Sequence, residues 1–189
     1  MEGARKLLLE GKMPTVPEAA QEAKVSRATA YRYFPTQGAL IREAVDAVMT
    51  QPWEWEKRLD GTGGLPERVE RIASEIFDLN RDNEALQRGA LLLSLEQWAK
   101  VQAGEDLGEE PIKRGGRREA IRIALEPYEG KLDAEMLRRL AIAISVVIGV
   151  ESRVVLRDIW NLDENDAREM TAWMASGLAR AAVRQRSKG

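Results

Sequence analysis

Residues 15–34 read TVPEAAQEAKVSRATAYRYF, and the fold turns on how this stretch is read. Thr15 followed three residues later by Glu18 is a capping box: the hydroxyl accepts from the third amide and the carboxylate reaches back to the cap amide. Pro17 is tolerated there because first-turn amides have no partner inside a helix. Ala19, Ala20 and Ala23 give this first helix a small packing face, and Val25 is an apolar plug in the turn that follows. Ser26 is an N-cap for a second short helix that puts Arg27, Ala28, Thr29, Tyr31 and Tyr33 forward. Helix, tight turn, helix is the arrangement that presents a second helix to the major groove of DNA. Its N-terminal residues then face base edges, while its hydroxyls and cations reach phosphates.

Outward from this stretch, glycine and proline punctuate the chain and the apolar residues between them recur at three and four rather than at two. The spacing predicts helices near 3–11, 16–23, 27–34, 37–59, 66–80, 83–103, 113–129, 133–160 and 163–186, with Thr36, Asp133 and Asp163 as further N-caps. No strand alternation and no repeat interrupts them. The expected fold is all-α, about nine helices: a three-helix head over 1–48, then a helical bundle over 49–189. The longest apolar run, Leu140 to Val150, is broken by Ser145 and falls well short of the ~20 residues a membrane helix needs. A soluble, cytoplasmic protein is expected.

Val25-Ser26, Thr29, Tyr31, Tyr33-Phe34-Pro35 and Leu40 resemble the helix-turn-helix signature of the tetracycline-repressor (TetR) family of bacterial transcription regulators. The spacing from Thr15 through Leu40 matches without a gap. Trp98 and the stretch from Ile142 to Asp163 also look like regulators of this type. The resemblance implies base contacts from Arg27, Ala28 and Thr29. It implies phosphate contacts from Thr15, Tyr31, Tyr33 and Gln37, with Ser26 at the helix start and Phe34 and Leu40 packed inside the head. It further implies a homodimer on a palindromic double-stranded operator, released by a small molecule held in the bundle; most such proteins are repressors. Three positions depart from the family pattern. Lys24 stands where the turn commonly has glycine, Ala30 where a larger apolar residue is usual, and Gln37 where a lysine commonly contacts phosphate. Weaker non-specific DNA binding is the expected consequence.

Charge is consistent with this division. The net charge of −2 averages a head of six basic and four acidic residues over 1–40 with a remainder of 23 against 27. There is no histidine and no cysteine. That excludes Cys/His zinc sites, thiolate nucleophiles, Ser-His-Asp triads and imidazole acid–base chemistry. No cofactor, metal or enzymatic activity is expected.

In the bundle, Phe77, Leu91, Ser94, Leu95 and Trp98 are candidate pocket residues, suited to an apolar or aromatic ligand. Helix 133–160 is apolar on most sides and so must be covered on more than one. Helix 163–186 has a bulky face with Met170 and Trp173 and a small one with Ala172, Ala175, Ser176, Ala179 and Ala182. The small face, together with Val147 and Val154, is the expected dimer contact. Lys113, Arg114, Arg117, Arg118 and Arg122 read as a solvated basic face. The alternative to a DNA-binding regulator is a helical adaptor that works through that small-residue face without DNA.

Overall fold

The computed structural model describes residues 2–49, 53–61, 63–108, 110–112 and 116–186, which form eleven α-helices and no strand. They fall into two compact units, Met1–Pro52 with Asp82–Arg114, and Trp53–Arg81 with Gly115–Gly189. The expected head boundary near residue 48 lies close to the first break. The return of 82–114 to the head's unit is a feature the sequence reading did not include.

The first unit contains α1 (Glu2–Leu9), α2 (Val16–Glu22), α3 (Arg27–Tyr33), α4 (Gln37–Met49) and α7 (Glu84–Gln102). Its helices approach closely because their contact residues are small. Gly3 in α1 lies so near α2 that a Cβ on it would sit 2.5 Å from the Ala19 carbonyl oxygen and 2.8 Å from the Ala23 nitrogen. Ala4, Val16, Ala19, Ala20, Ala30 and Leu40 form one buried cluster, with Phe34 packed against it. On the other side of α4, Ile41, Ala44 and Val45 meet Leu86 and Ala90 of α7. The buried Gln97 side chain of α7 accepts from the Ile112 amide at 2.9 Å and ties down the segment that follows.

The second unit contains α5 (Trp55–Arg58), α6 (Leu65–Asp82), α8 (Gly116–Leu125), α9 (Ala134–Val147), α10 (Val150–Val154) and α11 (Glu164–Arg186). Its core joins Val69, Ile72 and Ile76 of α6, Ala120 and Ala124 of α8, Leu140 and Ile144 of α9, and Ala175, Ala179 and Ala182 of α11. Arg68 donates to the carbonyls of Ala124 (2.9 Å), Ile123 (3.3 Å) and Leu59 (3.2 Å), so one guanidinium satisfies two carbonyls at the end of α8 and one after α5.

Two expected helices are divided. The 37–59 stretch becomes α4 and α5. The 133–160 stretch breaks at Gly149, whose backbone is extended (φ −88°, ψ 173°). The buried Asn80 side chain donates to the carbonyl of Ile148 at 3.1 Å and Ser152 Oγ to that of Gly149 at 2.7 Å, so side chains satisfy carbonyls at the break. After α10 the chain makes a π-helical turn over Val155–Ile159. Arg153, 1 % exposed, lies just before it, paired with Glu164 (2.9 and 2.7 Å) and with its guanidinium 4.9 Å from the Phe77 ring centre. No described helix is long and apolar enough to cross a membrane.

Candidate nucleic-acid interface

The α2–α3 pair is built by local chemistry. At its start, the Thr15 amide donates to Glu18 Oε2 (2.8 Å) and the Glu18 amide to Thr15 Oγ1 (3.3 Å), closing the capping box. Thr15 Oγ1 also donates to Glu18 Oε2 at 2.7 Å. The two bonds from Thr15, the amide's before the hydroxyl's, hold the Glu18 carboxyl below its ordinary range. Thr15 is exposed, but its hydroxyl proton is committed to Glu18.

The end of α2 is a Schellman closure. The Val25 amide donates to Ala20 O (3.0 Å), the Lys24 amide to Gln21 O (3.1 Å), and Lys24 itself takes φ +55°. This is the position where the TetR pattern commonly carries glycine, and the left-handed backbone gives the physical reason. Val25, expected as a plug, is 45 % exposed.

Ser26 Oγ accepts from the Thr29 amide at 3.1 Å and lies 2.8 Å from Thr29 Oγ1. These two residues therefore fix the start of α3, and Thr29 is half-buried. Ala30 is the one buried residue of α3. Arg27, Ala28, Tyr31 (46 % exposed), Arg32 and Tyr33 (66 % exposed) are all presented to solvent. No carboxylate lies in the seven residues of this helix. Gln37 is exposed, and its amide donates to Pro14 O at 3.3 Å, which links the start of α4 to the approach to α2.

Arg32 was not among the expected contact residues. Its guanidinium carbon sits 5.3 Å from the Tyr33 ring centre, and both side chains are exposed. The available signal was composition: Arg32 is the second cation in a segment with no acid.

The expected ligand-pocket residues are not brought together within either unit. Phe77 belongs to the second unit, buried against Leu156 and Ala167. Leu91, Ser94, Leu95 and Trp98 belong to the first, where Leu95 and Trp98 are more than half exposed. A cleft does occur elsewhere, between α6 and α11, and its lining is polar.

The expected dimer contact is corrected by burial. Ala175, Ala179 and Ala182 pack into the second unit's own core, and Ala172 and Ser176 are also buried, so the small face points inward. Small side chains let α11 lie close to α9, which is what the alanines serve. Val147 and Val154 are half-buried. The apolar residues left outside include Ile142 and Val146 on α9, one turn apart and 51 % and 65 % exposed. Of the basic cluster, Lys113 and Arg114 lie outside the described residues. Arg117 is bound to Glu151 (2.8 Å) and Arg122 to Glu119 (2.8 Å).

Among the described residues no group of three or more acidic side chains is placed to hold a metal ion. Comparison with protein-family models, curated proteins and solved structures finds no match to this chain.

Proposed function

We propose that this chain is a DNA-binding transcription regulator of TetR type that reads its operator with α3 and acts by binding alone. The observation that carries the reading is the character of α3: a short helix, capped at its start and held by α2, with only Ala30 buried and two arginines and two tyrosines exposed. A helix seated in its own protein by one alanine, cationic and free of acids, is suited to an anionic partner that supplies the rest of its surroundings. Arg27 and Ala28 lie at the end of α3 that would meet base edges, and Tyr31, Arg32 and Tyr33 flank it for phosphates. Thr29 is placed to position α3 as well as to contact DNA, since its hydroxyl meets Ser26.

Two heads on two half-sites require a dimer. Ile142 and Val146, exposed on the side of α9 away from Leu140 and Ile144, are the apolar surface we assign to it. Repression relieved by a small-molecule effector is the mode of action we propose. Such release follows only if the effector prefers the conformation that does not bind the operator.

The test is fluorescence anisotropy at fixed salt with a duplex selected from a random pool by the full chain. Tyr31→Phe and Thr29→Ala should each weaken binding, by about 1 kcal/mol per lost contact, while helicity and dimerisation persist. Unchanged affinity in both variants would rule out α3 as the reading helix.

A further inference from the structure

On α3 the buried Ala30 fixes which side of the helix faces away from the protein. Successive residues of a helix turn by about 100°. Ala28 and Arg32, two places before and after Ala30, therefore both lie about 160° round the axis from it. They stand one turn apart along the outermost line of the helix. Arg27 and Tyr31 border that line on one side, and Thr29 and Tyr33 on the other. Ala28 is exposed, and its side chain is a bare methyl. At this position the centre of the face offers neither a donor nor an acceptor.

The polar neighbours of that methyl differ in what they have free. Thr29 Oγ1 lies 2.8 Å from Ser26 Oγ, so its hydroxyl is turned toward the cap. The Arg32 guanidinium is drawn to one border, 5.3 Å from the Tyr33 ring centre. Arg27 is exposed and makes no hydrogen bond or ion pair among the described residues. Beside the bare methyl there is thus one guanidinium with its whole fork of donors open. In the major groove thymine alone among the four bases carries a methyl group. Guanine presents two acceptors, N7 and O6, which one guanidinium meets with two donors. Adjacent Cα atoms are about 3.8 Å apart and successive bases of a strand about 3.4 Å apart along the axis, so neighbouring residues match neighbouring base pairs.

We propose that the outer face of α3 reads a guanine and a thymine on adjacent base pairs of each half-site. Arg27 donates to N7 and O6 of the guanine, and the Ala28 methyl packs against the 5-methyl of the thymine. Arg32 stays with the phosphates, and Thr29 holds the start of the helix against Ser26. The inference rests on the reading of α3 as the DNA-binding helix and adds to it the identity of two bases. Cytosine in place of the thymine removes the methyl and presents an amino donor that Ala28 has no acceptor to meet.

The test uses the full chain and a duplex it selects from a random pool, with affinities measured by anisotropy at fixed salt. Each thymine of the half-site is replaced in turn by deoxyuridine, which removes the methyl and leaves the hydrogen-bonding groups in place. One such replacement should weaken binding about fourfold per half-site, and in Ala28→Gly the same replacement should have little further effect. The adjacent base pair should hold a guanine, and 7-deazaguanine there should weaken binding to the unaltered protein but not to Arg27→Ala. Circular dichroism confirms that both variants fold. Tyr31→Ala separates the two levels of the reading. If it leaves affinity unchanged, α3 is not the DNA-binding helix and this inference falls with that reading. If it abolishes binding while no thymine responds to loss of its methyl, the base assignment alone is overturned. A methyl effect of full size in folded Ala28→Gly, or a 7-deazaguanine effect of full size in folded Arg27→Ala, would overturn it equally.

Discussion

At Lys24 the backbone enters the left-handed region (φ +55°) to close the Schellman turn between α2 and α3. A side chain there meets its own carbonyl at a cost of roughly 1–2 kcal/mol. Glycine removes that strain but gains freedom in the unfolded chain, so Lys24→Gly should raise stability by about 0.5 kcal/mol. Denaturant unfolding measures it, and a loss of stability would mean that the turn is not left-handed. A second residue-scale expectation concerns Glu18. Its carboxyl is lowered from the ordinary 4.5 by the Thr15 amide and hydroxyl. A carboxyl lowered on folding contributes stability that is complete above its unfolded value and is lost as pH falls through its folded value. The protection of the Thr15 amide should therefore fall on acidification below about pH 4.5, and Glu18→Gln should remove that dependence.

Among the elements, α1 and α3 make the sharpest demands. Gly3→Ala would place a methyl 2.5 Å from the Ala19 carbonyl oxygen, an atom of the backbone that cannot swing aside. The α1–α2 contact should then loosen at a cost of about 1–3 kcal/mol, seen as a lowered unfolding midpoint for the first unit. On α3, Arg32→Ala should weaken DNA binding and flatten its salt dependence by about one phosphate contact. The caps were legible in the sequence because capping is written in neighbouring residues: Thr15 with Glu18, Ser26 before α3, and Asp133 before α9. The break at Gly149 was not, because it depends on Asn80, 68 positions away, reaching the carbonyl of Ile148. For the same reason the alanines of α11 were misassigned. Their spacing announces a close helix neighbour without saying whether that neighbour is α9 of the same chain or a second copy.

At the scale of the whole chain, the helical class followed from punctuation and period, and a nearly neutral total concealed a slightly basic head. The pocket expected from Phe77, Leu91, Ser94, Leu95 and Trp98 was assembled from helices that belong to different units, a division that spacing along a sequence does not encode. The exposed face of α3, the candidate site, was more accessible to sequence reasoning because seven consecutive positions carry nearly all of that surface. The central claim, that α3 reads DNA as one half of a symmetric pair, is tested most directly by selecting bound duplexes from a random pool with the full chain. The account predicts enrichment of a palindromic sequence whose binding is lost on Tyr31→Ala. A pool that yields no enriched sequence, or one bound equally well by that variant, would contradict it.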